Sequence, residues 1–430
     1  MLNYIWLALV VLAVLMGGAA GQLQEVTSAA FEACKVAVMT IALPLAGVMA
    51  LWLGLMRLAE KSGLISVLSR ALRPVLVWLF PDVPANHPAM GAIVMNTAAN
   101  MLGLSNAATP LGLRAMQHLE KLNPHPGTAT NAMCTFLALN TSSVQIIPAT
   151  AVAILAAAGS VNPTQIIGTA LIATSFSTAA GITAVKFFEK LPMFAPPPPH
   201  REITHDAEKD AESEVQVKPQ WWGNLVLVAF FAAFCGFGYV FATQPLENAR
   251  GPLIAGVNAI SYLAIPFLLG FFPLYAALCR VPVYEEFVVG AKEGFDVAIR
   301  IIPYLIAIMA AVAMFRAAGG IDKMTEALGP FLSAIHFPTE LLPLSLMRPL
   351  SGGGTTALFA ELVSTHGPDS FIAKTAGTIM GSTETTFYVI AVYFGSIAVR
   401  RTRHAVPAGL CADVVGIAAS VTICNLVFAR

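Results

Sequence analysis

Apolar runs of roughly twenty residues recur along the whole of this chain, and a helix of that length crosses the hydrocarbon core of a bilayer. They fall near 4–20, 36–57, 130–157, 164–189, 222–243, 253–279, 301–318, 371–399 and 405–428. Lipid offers no partner to a backbone amide or carbonyl, so segments like these close their hydrogen bonds within themselves as helices. The expected fold class is therefore all-α, a polytopic membrane protein partnered by the lipid bilayer. The composition agrees: 57% hydrophobic and 11% charged over 430 residues is far from the balance of a soluble domain. A formal net charge of zero and the lack of a large basic block argue against a nucleic-acid binder. The first twenty residues lack the basic start of a signal peptide and read as an uncleaved span.

Enzyme signatures are missing as well. The chain holds no HExxH, no GxSxG and no GxxxxGK[ST] phosphate loop, so no catalytic pair can be nominated and no cofactor is implied. The eight histidines are scattered, which argues against a metal site, and the six cysteines form no CxxC pair and read as small hydrophobes in helix packing.

One segment interrupts the oil. Residues 192–220 begin with a proline run, Pro196-Pro-Pro-Pro199, and continue through dense mixed charge, the composition of a linker first stiff and then disordered. It separates a first half, 1–191, from a second, 221–430. The halves echo each other: Pro44 and Arg57 recur as Pro303 and Arg316, both 259 residues on. Gly168 recurs as Gly409, and the polar break Asn140-Thr-Ser-Ser143 as Gly381-Ser-Thr-Glu384, both 241 on. The shrinking offset places extra residues in the first half, around Leu104–Gly127. A duplicated unit is the natural reading.

Lysine and arginine set the orientation. With a cytoplasmic N-terminus, and with 86–110 and 343–361 as re-entrant hairpins, most of the 24 Lys and Arg residues fall on the cytoplasmic side, including the linker and Arg400-Arg-Thr-Arg403. The loop 159–163 falls outside. Equivalent loops of the two halves then lie on opposite faces, so the repeats are expected to be inverted, as in carriers whose site sits at the midplane between discontinuous helices. The bacterial inner membrane is the expected location.

Four polar clusters occupy equivalent places, two per half. The first half supplies Asn96 and Asn100 with Ser105 and Asn106, and then Asn140, Thr141, Ser142, Ser143 and Gln145. The second supplies Arg348 with Ser351, Gly353 and the neighbouring threonines, and then Ser382, Thr383, Glu384, Thr385 and Thr386. Consecutive glycines at 352–354 favour an unwound tip. Any single hydroxyl here could simply bond to a neighbouring helix. Glu384 is costlier, since burying its charge is unfavourable by several kcal/mol unless a partner or proton relieves it. It could bind a cation or proton, accept hydrogen bonds from a polar solute, or pair with Arg348 or Arg316. Asp413 is the other isolated span carboxylate, with a transport role and a helix-pairing role equally open.

The first half, through FEACKVAVMTIALPLAGVMALWLGLMRLAEKSGLI (31–65), MNTAANMLGLSNAATPLGLRAM (95–116) and TFLALNTSSVQIIPAT (135–150), resembles spore maturation protein A. The second, through RIIPYLIAIMAAVAMFRAAGGID (300–322), RPLSGGG (348–354) and GSTETTFYVIAVYFGS (381–396), resembles spore maturation protein B. Both carry the nucleoside-recognition or gate domain, similar to segments of concentrative nucleoside transporters. The resemblance implies fused gate-domain halves that move a small polar solute or ion, a role linked in spore formers to dehydration of the spore core. It leaves open a non-transporting scaffold or regulator, and an assembly of several copies. The first half has no carboxylate matching Glu384, a departure from a site that grips ribose from both sides.

Overall fold

The structure, a computed structural model, describes residues 2–103, 105–195, 221–243, 252–320 and 337–428, with 323, 326, 330 and 332. The described residues are overwhelmingly helical, as the apolar runs require, with a single isolated bridge between Thr128 and Arg401. Most of the expected linker, 196–220, lies outside the described residues, which include only the short 3-10 turn Pro192–Phe194 from its start.

In the first half, α1 (Leu2–Ala19) is followed by α2 (Leu23–Lys35), a π-wound turn Val36–Ala42, and α3 (Leu43–Lys61). The wide turn precedes Pro44, whose missing N–H and bulky ring disrupt regular α winding one turn back. Next come α4 (Leu64–Leu79), a helical hairpin of α5 (Pro88–Met101) and α6 (Ser105–Lys121), and an interrupted span of α7 (Asn131–Ser142) and α8 (Ala149–Ala157). Helix α9 (Ile166–Phe188) closes the half. The second half opens with α10 (Trp221–Thr243), α11 (Pro252–Leu278) and the long α12 (Val283–Ala317). A second hairpin, α13 (Leu342–Met347) with α14 (Gly352–His366), precedes a second interrupted span, α15 (Phe371–Ser382) and α16 (Thr386–Ser396), and α17 (Ala405–Phe428) closes the chain.

Among the described residues, five helices are long and apolar enough to cross a membrane: Leu23–Lys61, Pro163–Phe188, Trp222–Val240, Val283–Ala317 and Ala405–Phe428. Two of them outgrow the apolar runs expected at 36–57 and 301–318. Their additional turns carry Glu25 and Glu32 in one and Glu285, Glu286, Lys292 and Glu293 in the other, charges that hide helix from a hydropathy window.

Small residues decide how these helices meet. A β-carbon on Gly290 would lie 2.5 Å from the Leu53 carbonyl oxygen, and one on Gly294 would lie 2.5 Å from the Ala50 backbone. Helices α3 and α12 therefore approach backbone to backbone along Ala50/Gly54 and Gly290/Gly294, a close packing that dispersion rewards where no hydrophobic effect operates. Arg57 reaches Glu286 at 3.0 Å along the same contact. Each interrupted span packs against the closing helix of its own half and of the other: α7 on α9 and α17, α15 on α17 and α9. The two halves also share one apolar core, with Met49 and Ile154 from the first beside Ile308 and Phe359 from the second. Polar residues at the interruptions are thereby held where both halves contribute walls.

Candidate functional site

Helix α7 starts with Thr130 capping the Met133 amide and ends at Ser142, and α15 starts with Ser370 capping the Ala373 amide and ends at Ser382. These caps fix where each helix begins, a stabilisation of about 1 kcal/mol apiece. Beyond each helix the chain is unwound, over 143–148 in the first half and 383–385 in the second. Freed backbone groups at that depth need partners from the protein.

The two breaks supply partners to each other. The Glu384 amide donates to the Thr141 carbonyl at 2.6 Å. Gln145 Nε2 donates to Glu384 Oε1, also at 2.6 Å. The carbonyls of Ser142 and Ser143 accept from Thr174 Oγ1 on α9, both at 2.8 Å. Thr386 Oγ1 donates to Asp413 Oδ2 on α17 at 2.5 Å. Ser382 turns back on its own helix, donating to the Ile379 carbonyl at 2.9 Å.

Each hairpin tip docks on the break of its own half. The Ile146 amide donates to the Met101 carbonyl at 3.0 Å, and the Phe387 amide donates to the Pro349 carbonyl at 3.0 Å. Donors 146 and 387 are again 241 apart, the offset read from the polar breaks. Ser351 caps α14 through the Gly354 amide, and Gly353 lies against the Tyr304 ring. A β-carbon on Gly352 would sit 3.2 Å from Thr385 Oγ1.

An amide relay joins the first hairpin to both breaks. Asn100 Nδ2 donates to Asn140 Oδ1 at 2.8 Å and to Asn96 Oδ1 at 3.3 Å. Asn96 Nδ2 donates to the Ala108 carbonyl at 2.7 Å, and Tyr393 OH on α16 donates to Asn140 Oδ1 at 3.4 Å. Tyr393 was not among the residues expected from sequence. It lies seven positions after Thr386, two helical turns along the same face, and that spacing was the available signal. The side chains of Ser105 and Asn106 lie outside the described residues.

The ion-pair reading of Glu384 changes in detail. Arg316 is taken by Glu361, at 2.6 Å, and by Thr365. Arg348 is buried and donates from Nη2 to the Met380 carbonyl at 2.8 Å, with Glu384 and Asp413 close enough to act on it through space. Two deeply buried polar atoms here, Ser143 Oγ and Arg348 Nε, have no hydrogen-bond partner among the described residues, and the Thr383 hydroxyl lies beside the Asp413 carboxylate. The arrangement thus combines a cation, two carboxylates and several hydroxyls, a set able to hold a polar solute or an ion.

Two clasps flank the breaks. Asp369, ahead of α15, accepts from Ser160 Oγ at 2.6 Å and from the Val161 amide at 3.1 Å. Burial pushes the Asp369 carboxyl up, but the Ser160 hydroxyl and the Val161 amide outweigh it and hold the group below its ordinary value. At the other clasp, ahead of α7, the Arg400 and Arg401 amides donate to the Gly127 carbonyl and the Ala129 amide donates to the Arg401 carbonyl.

A family model for nucleoside recognition, Gate, matches residues 42–189 and 298–400. Spore maturation protein A of Bacillus subtilis (strain 168) is 45% identical over 188 residues, which are 44% of this chain and 95% of that protein. Spore maturation protein B of the same organism is 41% identical over 172 residues, 40% of this chain and 97% of that protein. Each relative is covered almost end to end by less than half of the chain, consistent with a fusion of two such units. Among solved structures, the YdaH transporter of Alcanivorax borkumensis is similar over 99% of this chain and 96% of its own, at 15% identity and a TM-score of 0.38.

Proposed function

The chain belongs to the nucleoside-recognition Gate family, and from that premise we propose that it is an inner-membrane carrier moving a small polar solute or ion through the place where its two helix breaks meet. The observation that carries this reading is the pair of bonds across the halves, Glu384 amide to Thr141 carbonyl and Gln145 to the Glu384 carboxylate. Intramembrane backbone is left unwound only where protein or a water-lined path satisfies it. Here part of that satisfaction crosses between the halves, at the Glu384 amide and carboxylate, so a rocking of the halves exposes those groups to solute. Glu384 is the group whose charge a coupled cation or proton would neutralise, and Asp413 with Thr386 lies beside it on the second half.

The inverted arrangement of the repeats belongs to the same proposal. Hairpin-to-break bonds at equivalent positions, from Ile146 and from Phe387, support the duplication, and the Lys and Arg distribution supports opposite orientations. No enzymatic step is part of this reading.

Purified full-length protein in liposomes tests it. Nucleosides, amino acids, dicarboxylates and metal ions are screened for thermal stabilisation and for uptake. A true substrate at one hundred times its dissociation constant stabilises the folded state by about 2.7 kcal/mol and accumulates inside the liposomes. Failure of every class in both assays defeats the carrier and favours a scaffold. Cysteines placed at Ser160 and Arg400, in a background freed of native thiols, should label from opposite sides; labelling from one side removes the inverted topology.

A further inference from the structure

Two helices long and apolar enough to cross the membrane finish side by side. Helix α9 leaves its apolar stretch at Phe188, α17 enters its own at Ala405, and the two pack against each other from end to end. Arg403 Nε donates to the Phe194 carbonyl at 2.7 Å, and the Phe194 ring lies against the His404 ring, so the stretches 189–194 and 400–404 are in contact. Where apolar spans stop, a chain meets lipid headgroups.

This junction collects Lys186, Lys190, Arg400, Arg401 and Arg403. Lys186 is paired with Glu189 at 3.4 Å, and Arg403 is committed to the Phe194 and Ala129 carbonyls. Lys190, Arg400 and Arg401 are exposed, and their side chains have no partner among the described residues. Asp82, on a cavity wall shared with Arg403, is the opposing charge and is itself exposed. Two apolar side chains flank the cations: Phe187 is 60% exposed and Met193 79%.

We propose that Lys190, Arg400 and Arg401, with Phe187 and Met193 beside them, dock on a bilayer leaflet that carries anionic glycerophospholipid. Apolar side chains at a span end sink into the acyl boundary while cations next to them meet the phosphates, a pairing that suits a membrane surface better than an aqueous partner. The Arg400 and Arg401 amides both donate to the Gly127 carbonyl, so the backbone that presents these two cations is already fixed and loses little freedom on docking. On the orientation proposed above this end is cytoplasmic, the side on which anionic lipid gives a leaflet its negative potential. Lys190 follows the last helix of the first half and the arginines precede the last helix of the second, so such lipid braces the two halves at one clasp.

The test uses full-length protein in nanodiscs of equal parts phosphatidylglycerol and phosphatidylcholine, with the lipid that stays bound counted by native mass spectrometry. Phosphatidylglycerol should be retained over phosphatidylcholine by at least about tenfold, since each surface cation contributes about a factor of five. Lys190→Gln, Arg400→Gln and Arg401→Gln together should abolish the preference, with the thermal melt in phosphatidylcholine discs unchanged. Lys190→Arg, Arg400→Lys and Arg401→Lys together should keep it. Equilibrating the parent at about 1 M instead of about 0.1 M salt should cancel it, because the screening length falls from about 10 to about 3 Å. The same change of charge made at exposed Lys61, Arg70 and Lys292 should leave it in place. The proposal is overturned if the parent shows no preference, if the three glutamines at the patch leave it intact, or if those at Lys61, Arg70 and Lys292 remove it equally. A preference that emerges only when the acidic residues of 202–214 become amides assigns the patch to that stretch of the chain, and overturns the proposal as well.

Discussion

Where α7 ends, the chain runs from Ser143 to Pro148 without a charged residue, and apart from the Glu384 carboxylate that Gln145 reaches, its surroundings are amides and hydroxyls: Asn96, Asn100, Asn140 and Thr174. Where α15 ends, a shorter break carries Glu384 and is attended by Arg348 and Asp413. The backbone solution is shared, since both breaks receive a hairpin tip and both lie against α9 and α17. The chemistry is divided. A neutral relay can fix geometry with directional hydrogen bonds and no desolvated charge, whereas a charged cluster can respond to an ion. Duplication supplied two equal frames, and on our reading one became the positioning side and the other the working side.

The largest expected effect breaks that division at its charged end. Glu384→Gln keeps the size of the side chain and an acceptor for Gln145 while removing the titratable charge. Uptake should lose its dependence on the coupling cation or on pH, with the protein still folded and inserted. Retention of full ion-dependent uptake would remove Glu384 from the working side. Arg348→Met comes next: it strips the buried cation facing two carboxylates and should lower stability by about 3–5 kcal/mol, seen as early loss in a thermal melt. Adding Asp413→Asn should restore part of that loss, because one of the uncompensated charges is then gone.

The neutral side should fail differently. Asn140→Ala leaves Asn100 Nδ2 without its nearest acceptor and removes the acceptor of Tyr393, a loss of about 1–3 kcal/mol. Its thermal melt should shift while the ion dependence of uptake stays unchanged. A change in ion dependence here would mean that the relay carries more than geometry.

Much of this comparison is legible in the sequence. Apolar runs located the spans because hydrocarbon forces helices, and polar insertions at 140–145 and 382–386 fall where the helices break, at 143–148 and 383–385. Amphipathic helices were not legible in the same way. Helix α4 and the charged first turns of α12 fail any filter built on continuous apolarity, although they are regular helix. Partner choice was also hidden: Arg316 and Arg348 are equally plausible for Glu384 in sequence, and only the packing of α12 against α14 gives Arg316 to Glu361. Tyr393 is a similar case, since an aromatic in an apolar span reads as packing until its hydroxyl is seen against Asn140.

The clasps extend the contrast and give the smallest expected effect. Turns near Ser160 and Asp369 use glycine where the backbone is left-handed, Gly159 at φ 82° and Gly367 at φ 85°. The clasp near Gly127 has its own left-handed glycine, Gly127 at φ 80°, but also places Ala398 at φ 55° and Arg403 at φ 48°, both with a β-carbon that crowds the following carbonyl. The Ala398 amide donates to the Gly395 carbonyl, so its conformation is imposed by the turn. Ala398→Gly removes the crowding, worth about 1–2 kcal/mol in the left-handed region, but adds freedom to the unfolded chain worth about 0.4–1 kcal/mol. The net expectation is a gain of between about zero and about 1.6 kcal/mol, measured as a small rise in melting temperature. If strain at this clasp also helps the halves part, uptake should slow in the same variant as the closed clasp becomes more stable. A variant that is less stable than the parent would show that the turn does not carry the strain, and that the two clasps differ only in sequence.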